Sequence, residues 1–281
     1  LLCLIIGLRL GRSTGWDSPA VLTLLPLAPV FLVAFWRVER TAKWPVLPGY
    51  LLRLAGFIVS SLSMFLANLG VFVIWFIFPF YVADSLGGSA LTLGLMLATL
   101  ALLNTLSSGA GGWLCDRFSY LPMGFGGLLV MAAGLLYLGY LDTASSLGHV
   151  ALRVGIVGAG LGLFQAATYS LMLGSVPSDR FGTASAALSL AQSCGRVLSV
   201  AVIGGIFAWR SDHHLAALAV GADAEGVAFI KAFKDVFVIG SSLGLLAALV
   251  FLAGGWRALR RETAVERPPS ETTGAGLTPQ V

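Results

Sequence analysis

The stretch SSGAGGWLCDRFSYLPM, residues 107–123, joins two long apolar runs through a short polar segment. The polar segment carries the adjacent opposite charges of Asp116 and Arg117, and a series of small residues precedes it. About 20 consecutive apolar residues form a helix long enough to cross the hydrocarbon core of a bilayer. Because polar backbone between two such helices needs water, the stretch predicts a helical hairpin whose turn lies at a membrane face.

The composition extends this interpretation to the whole chain. Of the 281 residues, 57% are hydrophobic and 11% are charged, and the mean hydropathy is +0.90. A soluble domain would carry more charge on its surface, so the class indicated is an all-α membrane protein with several spans. The basic residues behind the net charge of +4 lie at the ends of apolar runs. They indicate membrane topology, with lipid as a partner and no nucleic acid.

The apolar runs divide the chain into three parts. Residues 1–53 hold the stub of a cut helix, one transmembrane helix and a basic loop. Residues 54–256 hold six predicted spans, at 54–83, 90–114, 121–141, 150–174, 183–209 and 232–256. Residues 257–281 are rich in Pro, Thr and Gly and have no apolar period, which predicts a disordered tail.

The positive charges orient the spans. The most basic internal loop, residues 37–53, belongs on the cytoplasmic side under the positive-inside rule. Alternation of sides then places the loops at Asp116 and Asp179, together with the C-terminal tail, in the cytoplasm. Most of the loop lysines and arginines fall on that side, so the charge bias agrees with this topology.

Two short motifs lie in loops on the predicted cytoplasmic side. The first follows the pattern G-x-L-x-D-R and carries Gly112, Asp116 and Arg117. The second reads VPSDRFGTASAAL and carries Asp179 and Arg180. In this order and separated by two of the predicted spans, the motifs resemble those of the major facilitator superfamily, in particular its fourteen-helix drug:proton antiporter branch.

The resemblance implies a secondary active transporter that exports amphipathic compounds or drugs, coupled to protons, by alternating access. Members of this branch carry two additional helices between two six-helix halves. The stub and the helix within residues 1–53 match that inserted pair, and residues 54–256 match the C-terminal six-helix bundle. The expected partners are therefore a missing N-terminal six-helix half and a small-molecule substrate. The expected location is the bacterial cytoplasmic (inner) membrane, with the C-terminus in the cytoplasm.

The resemblance also implies a cytoplasmic gate formed by Gly112, Asp116, Arg117, Asp179 and Arg180. Physically, the small residues before Asp116 allow two helices to approach closely. Asp116 can face the positive end of the following helix, and Arg117 can pair with a neighbouring helix end. The alternative is a plain turn that carries two solvated charges.

Polar side chains inside the spans predict a water-filled passage. Large amides and one arginine lie within apolar runs, at Asn68, Asn104, Gln165, Gln192 and Arg196. They occupy the first, second, fourth and fifth spans, which the family arranges around its central cavity. Because a polar group in lipid is costly unless it faces protein or water, we predict that these residues and Trp75 line a substrate cavity. The alternative for Asn68 is a simple hydrogen bond to a neighbouring helix.

Arg196 is the most informative of these residues. It lies about 20 Å of helix from either end of its span, which is too far for its side chain to reach water through lipid. No acidic residue lies deep in any of the predicted spans. The expected partner is therefore a carboxylate of the missing half, a substrate anion, or backbone carbonyls and water. For the same reason, any proton-coupling group is predicted to lie in the missing half.

Other function classes find little support in the sequence. An intramembrane enzyme would place paired His and Glu, or Ser and His, deep in its spans, and neither pattern occurs. His213 and His214 fall in a predicted outer loop that would hold a metal poorly, so neither a metal nor a cofactor is expected. The glycine-rich run at 155–164 lies inside a span, which favours close helix packing over a nucleotide loop. The remaining alternative is a truncated or structural membrane module without transport activity of its own.

Overall fold

The computed structural model describes residues 33–34, 37, 49–141, 145–216 and 224–265. Every regular element in these ranges is helical, which confirms the all-α prediction. The predicted helix stub, nearly all of the inserted helix and residues 266–281 of the predicted tail lie outside the described residues.

Six helices follow one another along the described chain. α1 consists of Ala55–Val71 and Val73–Phe80 and continues into a π-helical turn at Tyr81–Ser85. The others are α2 (Ala90–Phe118), α3 (Tyr120–Gly139), α4 (Leu147–Ser175), α5 (Phe181–Ala216) and α6 (Ala224–Val265). Short 3-10 turns at Leu51–Arg53 and Ser178–Arg180 precede α1 and α5. All six helices are long and apolar enough to cross a membrane, so the protein is an integral membrane protein.

The last two helices are longer than predicted. α5 continues to Ala216 rather than ending at residue 209, and α6 extends from Ala224 to Val265 rather than from 232 to 256. An apolar run marks only the part of a helix that crosses hydrocarbon, whereas the backbone hydrogen bonds continue into the polar interface. The predicted tail therefore begins as a helix, and the predicted outer loop around residue 213 is helical too.

The helices pack in two layers. α2, α4, α1 and α5 lie side by side in that order, and α1 and α4 form the middle of this layer. Behind them, α3 packs on α4, α6 packs on α1 and α5, and α3 and α6 also contact each other. The front layer thus contains the four helices that carry the internal amides.

Glycines bring α4 close to its neighbours on both sides. A Cβ atom on Gly158 would meet the backbone oxygen of Leu100 on α2. A Cβ atom on Gly160 would meet the backbone nitrogen of Met131 on α3. Small residues allow such backbone-to-backbone packing between spanning helices. The glycine-rich run is therefore a packing surface inside α4, as predicted.

Candidate functional site

Two of the predicted cavity residues meet between α1 and α5. The Nε atom of Arg196 donates a hydrogen bond to Oδ1 of Asn68 at 3.2 Å. The Nδ2 atom of Asn68 donates in turn to the backbone oxygen of Met64, one turn earlier on α1, at 2.9 Å. The second bond fixes the amide with its oxygen towards α5. Asn68 is buried at 2% exposure, whereas Arg196 is exposed.

A glycine next to Arg196 makes this contact possible. A Cβ atom on Gly195 would meet the backbone oxygen of Phe65 and would lie 3.2 Å from Cβ of Asn68. α5 therefore passes α1 at backbone distance where the arginine reaches across. Asn68 was not predicted as the partner of Arg196, because only the folded bundle brings these distant parts of the chain together.

The other predicted cavity residues do not join this pair. Nδ2 of Asn104 lies 3.5 Å from the backbone oxygen of Gly158, so this amide links α2 to α4. Gln165 and Gln192 are half-buried, and no side-chain hydrogen bond of either is found in the described part of the chain. Trp75 is 47% exposed. The direct contact between predicted cavity residues is thus that of Asn68 with Arg196.

The first gate motif is helical rather than a loop. α2 continues through Phe118, so Asp116 and Arg117 lie in its last turn. The guanidinium of Arg117 lies over the rings of Trp113 and Phe118, with its central carbon 5.8 Å and 6.0 Å from their centroids. These are cation–π contacts within its own helix, and the pairing of Arg117 with a neighbouring helix end stays a prediction.

The small residues of this motif differ in their surroundings. A Cβ atom on Gly111 would lie 3.0 Å from Cβ of Ala166, so Gly111 packs against α4. A Cβ atom on Gly109 or Gly112 would have no neighbour within 4 Å. The predicted close helix approach is therefore made by Gly111, and Gly112 faces the open side of α2.

A single residue connects α2 to α3. Ser119 has φ 105° and ψ 148°, and its backbone N–H donates to the oxygen of Cys115 at 3.1 Å. This backbone conformation is one that glycine adopts readily and that costs other residues on the order of 1–3 kcal/mol. The turn that the sequence predicted is thus tighter than expected and strained.

Replacement of Ser119 by glycine is expected to stabilise the protein by about 1 kcal/mol, since relief of strain exceeds the added chain entropy. The free energy of unfolding, measured by detergent-induced denaturation of the purified protein, tests this. Ser119→Ala is the control, because it keeps the Cβ atom and should bring no gain. Equal stabilities of the two variants would argue against strain at this position.

The second gate motif forms a 3-10 turn at the surface. Nε of Arg180 lies 2.9 Å from Oδ2 of Asp179, and both side chains are exposed. The guanidinium also lies over the ring of Tyr50, with its central carbon 5.6 Å from the centroid. In the described part of the chain, no ion pair connects this motif to Asp116 or Arg117.

A charged cluster that was not predicted links α5 to α6. Oδ2 of Asp235 accepts a hydrogen bond from Nε of Arg210 at 2.7 Å, and it lies 2.7 Å from Nη2 of Arg210 and 2.7 Å from Nε2 of His214. Arg210 and His214 are four residues apart on α5, so both face the same neighbour. The three side chains are between 20% and 32% exposed.

This cluster corrects two expectations. No acidic residue was predicted deep in any span, whereas Asp235 lies within the sixth spanning helix, is half-buried and is paired. His214 lies in α5 and not in a loop. The sequence does contain a pattern that could have predicted the cluster. Arg210 and His214 are spaced to lie on one helical face, and a carboxylate follows early in the next apolar run.

Aromatic rings pack beside the cluster. The ring of Phe233 on α6 lies 4.9 Å from that of Tyr81 in the turn after α1 and 4.4 Å from that of Phe237, measured between centroids. Phe207 on α5 meets Phe229 on α6 edge to face at 5.4 Å. The ionic contact between α5 and α6 is thus flanked by an apolar one.

Comparisons with known proteins agree with this architecture. A family model described as Major Facilitator Superfamily matches residues 60–279. The Multidrug transporter protein MdtP of Bacillus subtilis (strain 168) is 29% identical over 205 residues, which cover 73% of this chain and 38% of that protein. The Uncharacterized transporter YebQ of Escherichia coli (strain K12) is 30% identical over 207 residues, covering 71% and 45%.

In a third relative, the matched region covers a larger share of the relative's own length. The Tetracycline resistance determinant of Streptomyces rimosus is 28% identical over 206 residues, covering 72% of this chain and 59% of that protein. The matched region thus covers between 38% and 59% of the length of these three relatives. Because the family model matches well over half of the chain, from within α1 to beyond α6, this protein belongs to the Major Facilitator Superfamily, a family of transporters and not of enzymes.

Proposed function

We propose that this chain is the C-terminal six-helix half of a secondary active transporter that exports amphipathic compounds or drugs in exchange for protons. The observation that carries the proposal is the exposed guanidinium of Arg196, held by Asn68 near the middle of α5. A charge at this depth is costly in lipid and is tolerated where it faces a water-filled passage. Family membership and the names of two relatives, a multidrug transporter and a tetracycline resistance determinant, support export of such compounds.

The proposed substrate cavity lies on the front layer of helices. Its residues come from the four helices with internal polar groups, namely Asn68, Trp75, Asn104, Gln165, Gln192 and Arg196. A substrate would bind near the middle of the membrane, between this half and a second one of related fold. The two halves would rock about this site to expose it to either side in turn.

The surface of α2 supports a partner half on this side of the bundle. α2 buries few residues in the core, and its leucines Leu95, Leu102 and Leu106 are between 59% and 62% exposed. A spanning helix that buries so few residues in the core of its bundle has much surface left for lipid or for further helices. The proposed partner is an N-terminal six-helix half, joined through residues 1–53.

The proposed location is the bacterial cytoplasmic membrane, with lipid around the bundle and the C-terminus in the cytoplasm. The distribution of loop lysines and arginines supports this orientation. It places Gly112, Asp116, Arg117, Asp179 and Arg180 on the cytoplasmic side, where they would form the gate.

Efflux of a fluorescent amphipathic dye from vesicles under an imposed pH gradient tests the proposed function. The chain is expressed alone and together with its upstream coding sequence. Efflux is expected from the longer protein and not from the chain alone, because half a cleft cannot alternate its access. Equal efflux from both would contradict the two-half architecture. Absence of efflux from the longer protein would favour the alternative of a structural membrane module without transport activity.

The proposed gate leads to a separate prediction. Arg117→Gln is expected to lower the rate of dye efflux by roughly tenfold, as loss of one charged contact in a conformational step would do. Membrane insertion, followed by immunoblotting, should stay unchanged because Arg117 is exposed. Arg257→Gln is the matched control, since Arg257 is an exposed arginine of α6 outside both motifs. Equal rates in the two variants would remove Arg117 from the gate.

A further inference from the structure

The hydrogen bond to Asn68 leaves one edge of the Arg196 guanidinium open. A guanidinium presents its donors in a rigid plane, with Nε on one side and the Nη1 and Nη2 groups at the tip. The Nε group is engaged by Asn68 at 3.2 Å. Within the part of the chain that the structure describes, no carboxylate contacts the tip, although the side chain is exposed.

The surrounding contacts define how this tip is presented. Asn68 cannot rotate freely, because its Nδ2 group donates to the backbone oxygen of Met64. Gly195 holds α5 against the backbone of α1 at the same level. The Nε edge of Arg196 is thus held by one hydrogen bond at this close approach, while the side chain as a whole stays exposed. This hydrogen bond restricts the arginine before a ligand binds, so part of the cost of ordering the side chain is already met.

A purely structural role would not require a charge at this position. A neutral donor could make the same hydrogen bond between α1 and α5 at a much smaller cost of desolvation in the membrane. The guanidinium tip adds what a neutral donor lacks, a planar pair of N–H groups that matches the two oxygens of a carboxylate. The same helical face carries Gln192 one turn before Arg196, which provides a further polar group for a ligand.

We propose that Arg196 binds an oxyanion of the carboxylate type through Nη1 and Nη2, and that Asn68 is the residue that positions it. This inference rests on the proposed function, because the open side of Arg196 is then the substrate passage. The oxyanion has two possible sources, an acidic group of the substrate or an acidic side chain of the N-terminal half.

Binding of a matched pair of probes tests the site directly. The probes are 1-naphthoate and 1-naphthamide, which share their size and aromatic ring and differ in charge. Titration into the complete protein in nanodiscs is expected to show at least about tenfold tighter binding of naphthoate, the order expected for one charge-assisted bidentate pair. Arg196→Gln should abolish this preference, and Arg196→Lys should retain only part of it because a lysine lacks the planar fork.

Arg153 offers a matched control on α4. It is also an arginine within a span, but its guanidinium lies 3.8 Å from the centroid of the Tyr137 ring, and Nη1 donates to the backbone oxygen of Tyr137 at 2.9 Å. Arg153→Gln should therefore keep the preference for naphthoate. Loss of the preference in both variants would point to a general effect of net charge and would overturn the assignment to Arg196.

Asn68→Asp separates ligand binding from helix linkage. The new carboxylate would pair with Arg196 inside the chain and strengthen the connection between α1 and α5. If Arg196 serves an external oxyanion, this variant should lose the naphthoate preference or dye efflux despite a higher thermal stability. If Arg196 only links the helices, the variant should match or exceed the parent in naphthoate preference and in dye efflux. That result would overturn the inference.

The two possible sources of the oxyanion, the substrate and the N-terminal half, predict different results in these experiments. A naphthoate preference that depends on Arg196 identifies the substrate as the source. Without that preference, loss of efflux in Arg196→Gln that is restored by neutralising one acidic residue of the N-terminal half identifies the protein as the source. If neither pattern occurs, the inference is wrong. Binding is measured without transport, so a protein that binds naphthoate through Arg196 but exports no dye would contradict only the proposed function.

Discussion

Replacement of Gly162 by leucine is expected to prevent α2 and α4 from packing and to leave little folded protein in the membrane. A Cβ atom on Gly162 would meet the backbone oxygen of Asn104 and would lie 2.9 Å from the backbone nitrogen of Ser108. These are backbone atoms within α2, so no side-chain rotation can relieve the contact. Overpacking of this kind costs about 1–3 kcal/mol when neighbours can adjust and more when they cannot.

The matched control is Gly174→Leu on the same helix. A Cβ atom on Gly174 would have no neighbour within 4 Å, so the same change of residue meets open space there. Yield of monodisperse protein in size-exclusion chromatography and the midpoint of thermal unfolding provide the measurements. We expect Gly174→Leu to behave like the parent. A Gly162→Leu protein of normal yield and midpoint would show that α2 and α4 do not approach as closely as described.

The glycine-rich run illustrates what the sequence could and could not predict. Its position inside the predicted span at 150–174 was sufficient to predict a spanning helix and close packing. It could not identify the partners, since Gly158 and Gly162 contact α2 whereas Gly160 contacts α3. That assignment depends on the rotation of α4 about its axis, which only the packing of neighbouring helices determines.

The candidate site was predicted in the same partial way. Polar residues in apolar runs are rare, so the positions of Asn68 and Arg196 within their spans, together with the helix arrangement that the family resemblance implies, selected both. Their contact was not predicted, because it depends on α1 and α5 being neighbours in the front layer. The role of Asp235 was not predicted because this carboxylate lies towards the beginning of α6 rather than near its middle, and because its partners lie on another helix, α5.

Replacement of Asp235 by alanine is expected to lower the midpoint of thermal unfolding by on the order of 5 °C, the scale for losing a half-buried ion pair in a chain of this size. The change leaves the Arg210 guanidinium and the His214 imidazole without the oxygen that both contact at 2.7 Å. A cation deprived of its partner in a partly desolvated position costs more than the pair contributed. The expected loss is smaller than for a fully buried pair, because the three side chains keep between 20% and 32% exposure.

Two further variants distinguish this pairing from a general effect of substitution. Arg210→Gln combined with Asp235→Asn removes both charges, so this double variant should unfold at a higher temperature than Asp235→Ala. Its loss in unfolding midpoint should be smaller than the sum of the losses in the single variants Arg210→Gln and Asp235→Asn. His213→Gln is the matched control, since His213 is exposed and stacks on Trp209 at 5.9 Å between centroids. Additive losses in the double variant, or an equal loss in His213→Gln, would show that the contacts of Asp235 do not hold α5 and α6 together.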